Sequence, residues 1–153
     1  MIAAIKIRSD IGASRKVRDT LRLLKLEKIN NCVIMQNSKS ILGMLNVVKD
    51  YVTYGEIDKE TLIELLSKKL RTVDNKAVDE KTLKELTNYD NFNNFAEDLL
   101  NGKISFKELG TKFKKVFKLR PPKGGFKSIK KHYPEGDLGY RGKEINSLLK
   151  KMF

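Results

Sequence analysis

"IAAIKIRSDIGASRKVRDTLRLLKLEKINNCVIM", residues 2–35, changes its hydrophobic period twice, and those changes set the fold class. The opening IAAIKI is rich in isoleucine and alanine and reads as a strand that ends at the turn-like Ser9-Asp10-Ile11-Gly12. Ser14 is placed to cap a helix. After it Val17, Leu21 and Leu24 recur at i, i+4 and i+7, one buried helical face. Asn31 to Gln36 then reads as a second strand. The same sequence of signals follows again. Asn37 or Ser38 caps a second helix with Ile41, Met44, Leu45 and Val48 inward, and Tyr51 to Gly55 reads as a third strand. The order is strand-helix-strand-helix-strand, an α+β pattern.

Beyond residue 57 the chain changes character. Asp58 opens a helix with Leu62, Leu65, Leu66 and Leu70 inward, Asp79 precedes a short helix from Glu80 to Leu86, and Phe92, Phe95, Leu99 and Leu100 mark a third that Gly102 terminates. Ser105 to Glu108 has the form of a capping box. Phe106, Leu109, Phe113 and Val116 keep a helical period, whereas Phe117 and Leu119 alternate with charges. Pro121 disfavours a helical Arg120, so an extended run into Pro121-Pro122 is favoured. Ile145, Leu148, Leu149 and Met152 form an amphipathic C-terminal helix. The expected units are an α+β core (1–57), an acidic helical extension (58–102) and a basic C-terminal segment (103–153) of strand, Pro/Gly loop and short helix that packs on the core as one compact unit.

Charge separates these units. The 153 residues carry a formal net charge of +13. Residues 58–102 are acid-rich, whereas residues 112–131 hold nine basic side chains and no acidic one. A solvated face chosen only for solubility mixes signs. A single-sign run of this length points to a polyanion, nucleic acid before an acidic membrane surface. Arg15, Arg18, Arg22 and Lys25, at spacings of 3, 4 and 3, add a cationic stripe on the first helix. One cysteine, Cys32, rules out an internal disulfide and fits a reducing compartment. The N-terminal apolar run is too short for a signal peptide, and no run approaches the ~20 apolar residues of a membrane span.

Residues 118–143 hold all three prolines, five of the ten glycines and eight lysines and arginines. Proline reduces the entropy lost on ordering, and glycine lets the backbone approach an anion. Lys and Arg neutralise phosphates, and Phe126, Tyr133 and Tyr140 are spaced among them to stack on unpaired bases or to pin the loop. The segment is expected to be largely disordered in the free protein. Its strongest contacts are expected from Lys118 to Lys131, while Pro134 to Gly142 folds back toward the C-terminal helix. An irregular loop suits folded RNA better than a duplex groove.

Enzymatic signatures are missing. Gly136 and Gly142-Lys143 are separated by one residue too many for a P-loop, and Glu144 stands where Ser or Thr holds magnesium. Gly136, Gly139 and Gly142 do not fit the dinucleotide fingerprint. His132 and Cys32 are each alone of their kind, which excludes a local zinc motif. No catalytic residue, metal, cofactor or small-molecule substrate is expected.

"LRPPKGGFKSIK" (119–130), "YPEGDLGYRGKEIN" (133–146) and the terminal "LLKKM" resemble the C-terminal signature of the large-subunit ribosomal protein L-thirty family of archaea and eukaryotes. "IRSDIGASRKVRDTLRLLKLEKINNCVIM" (7–35) and "ILGMLNVVKDYVTYGEID" (41–58) are similar to its core, and residues 58–102 match the archaeal-type extension in position and length. Relatives often carry histidine before the paired prolines; here Arg120 stands there, also able to contact phosphate. The resemblance implies a three-stranded, mainly antiparallel and somewhat ferredoxin-like sheet with two helices on one face, a helical extension and a basic C-terminal segment. It also implies a structural, non-enzymatic role in the cytoplasmic ribosome, with large-subunit ribosomal RNA and neighbouring ribosomal proteins as partners. Charge and loop chemistry nominate the RNA contacts: Arg8, Arg15, Arg18, Arg22, Lys25, Lys118, Arg120, Lys123, Gly124, Gly125, Phe126, Lys127, Lys130, Lys131, Arg141 and Lys143. The competing expectation is a free-standing nucleic-acid-binding architectural or chaperone protein.

Overall fold

A computed structural model of the chain describes residues 1–105 and 108–153, with Leu109 described by its backbone. The strand-helix alternation forms as the periods require: β1 (Ile2–Lys6), α1 (Arg15–Leu23), β2 (Asn31–Met35), α2 (Lys39–Val47) and β3 (Val52–Glu56). Ser14 and Ser38 cap α1 and α2, each hydroxyl accepting from the amide three residues on, Val17 and Ile41. Such caps contribute ~1 kcal/mol each. The extension is α3 (Lys59–Lys69), α4 (Glu80–Leu86) and α5 (Phe92–Leu100), and Gly102 follows α5 in the left-handed conformation that ends a helix. Phe106 and Lys107, inside the expected capping box and helical period, lie outside the described residues; a 3-10 turn covers Glu108–Thr111.

The sheet has five strands, not three. β4 (Val116–Lys118) pairs antiparallel with β2, and β5 (Gly139–Tyr140) pairs parallel with β3, in the order β4-β2-β1-β3-β5. β4 is the extended run expected on the way into Pro121-Pro122, whereas β5 is too short to show a period in sequence. Their pairing partners, supplied from far away in the chain, hold them extended. β1 is the central strand, antiparallel to β2 with Ile5 opposite Cys32 and to β3 with Lys6 opposite Val52.

Every residue of β1 is buried. Ile2 and Ala4 face Leu21 and Leu24 of α1, Leu45 of α2 and Val48 beyond it. Ala3 and Ile5 face the opposite way, into Leu62, Leu65 and Leu66 of α3, Phe95 and Leu99 of α5, and Leu148 and Leu149 of α6 (Ile145–Met152). The two core helices share one face, as the resemblance implies. The extension, together with α6, is the cover of the other face. Without it Ala3, Ile5, Cys32 and Ile34 would be an exposed apolar sheet, which a soluble chain must avoid.

Two details were not evident from pattern. Lys6, which breaks the apolar run in sequence, is 1% exposed; its Nζ donates to Asp10 Oδ1 (2.6 Å) and to the Glu27 carbonyl (2.7 Å). The hydrogen bond from Lys6 holds the Asp10 carboxyl below its ordinary value. That stabilisation is present above the ordinary aspartate range and is lost as pH falls through the lowered value. Gly55 on β3 meets the backbone of Gly142 so closely that a Cβ would sit 2.0 Å from the Gly142 carbonyl oxygen.

Backbone cannot give way as a side chain can. Gly55→Ala is therefore expected to cost about 1–3 kcal/mol through overpacking. At Gly43, inside α2, an added methyl would have nothing within 4 Å, so Gly43→Ala should instead stabilise the free protein by about 0.5–1 kcal/mol. Denaturant unfolding of both variants reads the contrast.

Candidate nucleic-acid interface

The direction of each element decides where the cations go. β1 ends where β2 and β3 begin, because Ile5 faces Cys32 and Lys6 faces Val52. β4 ends at the same place: Lys118 faces Asn31, and the Leu119 amide donates to the Asn30 carbonyl while the Asn30 amide donates to that of Lys6. Helix α2 leaves the far end of β2 and returns here. Helices α3 and α6 run side by side toward it as well. Asn146 Oδ1 accepts from the Asp58 amide at their starts, and Lys68 lies over the Phe153 ring at their finishes. The Arg120 amide donates to the Met152 carbonyl and the Lys123 amide to that of Lys151, which ties the loop to the end of α6. One end of the sheet thus collects the C-termini of β1, β4, α2, α3 and α6. Helix C-termini carry partial negative charge and favour nearby cations.

The basic loop crosses this end. Its path is set by Asp137, whose side chain is 12% exposed. Asp137 Oδ2 accepts from the amides of Lys127 and Ser128, and its own amide donates to the Ser128 carbonyl. Its Oδ1 accepts from Arg141 Nη2 at 2.7 Å, and Arg141 Nε donates to Thr53 Oγ1 on β3 at 2.9 Å. His132 Nε2 lies 2.7 Å from Asp50 Oδ1, at the turn before β3. The segment expected to be disordered therefore has a defined set of internal partners. The return half, Pro134 to Gly142, docks on β3 through β5 and Arg141; it is the outgoing half, at Arg120 and Lys123, that is tied to α6.

The nominated residues divide accordingly. Arg8, Lys118, Arg120, Lys123, Lys127, Lys130 and Lys131 are exposed at or beside the crossing. Gly124 and Gly125, both at positive φ with open space around them, form the exposed turn after Pro122. Phe126 is half-buried against the extension-side core, so it pins the loop. Arg8 lies 5.6 Å from the Tyr51 ring centroid. Arg15, Arg18 and Arg22 are exposed on α1, over the other layer of the sheet; α1 ends at Leu23, so Lys25, expected on the same helical stripe, is instead exposed just past the helix at positive φ, and the structure does not join the four to the loop. Lys143 is exposed at the opposite end, in the turn packed by Gly55. Arg141 is buried, and its guanidinium is committed to Asp137 and Thr53. Its place is inside the loop's scaffold, a role that sequence could not separate from surface contact because burial depends on β3.

Lys68 and Lys69, which sequence assigned to the acidic stretch, are carried to the basic end by α3. Burial first, then Arg120, Arg71 and Lys68, push the Lys69 amine below the ordinary lysine value. Burial pushes the Cys32 thiol up to about 12, so it stays protonated within the sheet. Among the described residues no group of His, Cys, Asp and Glu is arranged to hold a metal ion, and no helix is long and apolar enough to cross a membrane.

Residues 2–52 match the family profile described as ribosomal protein L30p/L7e. The chain is 45% identical to the large ribosomal subunit protein uL30 of Archaeoglobus fulgidus, over 99% of both chains. It is 42% identical to the protein of the same name from Methanococcus vannielii, covering 98% of this chain and 97% of that one. The corresponding Thermoplasma acidophilum protein is 40% identical, over 99% of this chain and 92% of its own.

Asp137→Ala leaves a buried guanidinium without its counter-charge and should destabilise the protein by about 3–5 kcal/mol. Amide exchange read residue by residue is expected to speed up at Lys127 and Ser128, which no longer have their acceptor, before the β1 amides respond.

Proposed function

The chain belongs to the ribosomal protein L30p/L7e family, and on that premise we propose that it is a structural constituent of the large ribosomal subunit that binds ribosomal RNA without catalysing a reaction. The observation that carries this reading is the gathering of Lys118, Arg120, Lys123, Lys127 and Lys130 at one end of the sheet, none of their side chains paired with a carboxylate among the described residues. Only Lys131 meets one, Glu135 at 3.3 Å, and that pair is exposed and so weak. Cations held on a fixed loop contact phosphates at little entropic cost and release counterions on binding. The exposed Gly124-Gly125 turn lets main-chain N–H groups approach a phosphate. The stripe Arg15, Arg18, Arg22 and Lys25 is a second contact surface on the α1 layer, so the protein touches RNA on two sides and acts as a wedge between RNA segments. Lys143 and Arg8 are the peripheral contacts. Neighbouring ribosomal proteins complete the environment, and the site of action is the cytoplasmic ribosome.

The units 1–57, 58–102 and 103–153 are in this reading one functional body: the first and last supply RNA-facing cations, and the middle one supports the sheet.

Replacing Arg120, Lys123, Lys127, Lys130 and Lys131 together with alanine tests the loop. Affinity for large-subunit ribosomal RNA should fall at least about tenfold near 0.1 M salt, and the salt slope should shrink by roughly 0.7 for each phosphate no longer neutralised. Incorporation into large subunits, followed by sedimentation, should fall with it. A folded variant that enters subunits normally with an unchanged slope would refute the loop assignment. A wild-type protein that never co-sediments with large subunits would favour the free-standing nucleic-acid-binding reading.

A further inference from the structure

The extension and the basic tail meet along a short stretch of paired backbone. The Lys114 amide donates to the Arg71 carbonyl at 2.9 Å, the Val73 amide donates to that of Lys112 at 3.2 Å, and Thr72 bridges to Phe113. On one side of this pairing the chain is α3; on the other it is β4, an edge strand. Between them lies a cleft of about 370 Å³. One wall is Lys68, Lys69 and Arg71, the other Lys114, Lys118 and Arg120, and no carboxylate lines it.

Internal partners satisfy only part of this set. Lys68 is paired with Glu64, and Lys114 donates to Asn75 Oδ1. Arg71 donates only to the Asn75 carbonyl, at 3.3 Å. Lys69, Lys118 and Arg120 have no carboxylate partner among the described residues. The C-terminal dipole of α3 accounts for cations at Lys68 and Lys69. It does not account for the facing row from β4, which comes from the other side of the cleft. Bringing like charges together costs Coulomb energy, and an anion seated between the walls reverses the sign of that cost. Burial first, and then Arg120, Arg71 and Lys68, hold the Lys69 amine below its ordinary value.

We propose that this cleft is an RNA-backbone site, in which Lys69, Arg71, Lys118 and Arg120 seat phosphates of a ribosomal RNA strand. The inference rests on the RNA-binding reading above and adds the extension to the binding surface. RNA is favoured over an acidic protein segment because the cleft is continuous with the loop: Arg120 belongs to both, so one strand that follows the loop enters the cleft. Arginine adds forked hydrogen bonding to phosphate oxygens, which a point charge lacks.

The test uses the full chain and purified large-subunit ribosomal RNA in a salt series. The double variant Lys69→Gln with Arg71→Gln is expected to lose about fivefold to tenfold in affinity near 0.1 M salt, with the slope reduced by roughly 1.4 for two phosphates. Lys81→Gln, on α4 away from the cleft, should bind as wild type. If wild type binds and the folded double variant keeps its slope, the cleft assignment fails while the RNA reading stands. If wild type does not bind the RNA, both fail. Acetylation footprinting of the unmutated protein keeps the test independent of variant folding: RNA should protect Lys69 and Lys118 and leave Lys81 reactive. Equal acetylation with and without RNA overturns the proposal. So does protection that appears in whole subunits but not with RNA alone, which would assign the cleft to a protein neighbour.

Discussion

β1 is hydrogen-bonded along both edges and covered on both faces, and the remaining architecture follows from having to do this. A strand inside an α+β core can leave one face to water only if that face is polar. Here both faces of Ile2 to Ile5 are apolar, and the alanines among them allow close packing from above and below. One face needs α1 and α2. The other needs a second layer, and α3, α5 and α6 form it. An extension that looks like an appendage in charge and sequence is thus a structural necessity.

Covering both faces has an electrostatic result. The helices that pack on β1 must each cross the sheet, and α2, α3 and α6 all cross toward the same end. Their C-termini, with the ends of β1 and β4, make that end favourable for lysine and arginine. The acidic groups Glu56, Asp58 and Glu144 stand at the other end, around the starts of α3 and α6, where they complement helix N-termini. The protein is polarised along its strands, and the loop and the α3–β4 cleft both lie on the basic side.

The loop is held to that side by a buried pair. Asp137 and Arg141 are four residues apart and face each other with side chains 12% and 6% exposed. A buried ion pair gains little net stability over apolar packing. This one joins three places: the amides of Lys127 and Ser128, the return strand β5, and Thr53 on β3. Its consequence is geometric, one path for a segment with few apolar anchors. Gly55 on β3 serves the same docking, since without a side chain there the Gly142 backbone can touch the strand.

Local pattern in the sequence determined the five-element core, its first cap at Ser14 and the inward faces of α1, α2, α3, α5 and α6, and it narrowed the second cap to Asn37 or Ser38. These are local properties: side-chain spacing and capping depend on residues a few positions apart. The sign of the charge from Lys112 to Lys131 was equally plain, and with it the class of partner. Tertiary structure alone decided what depends on distant partners. β5 exists because β3 pairs with it, and the extended run before Pro121 is placed at the sheet edge, as β4, by its pairing with β2. Arg141 is a scaffold residue because Thr53 and Asp137 surround it. Lys6 is buried because Asp10 and the Glu27 carbonyl reach its amine. Lys69 and Arg71, acidic-stretch residues by sequence, face Lys118 and Arg120 because α3 and β4 diverge from one paired segment. Charge is a sum that sequence displays, but a site is charge at a place, and place is set by contacts between residues far apart in the chain.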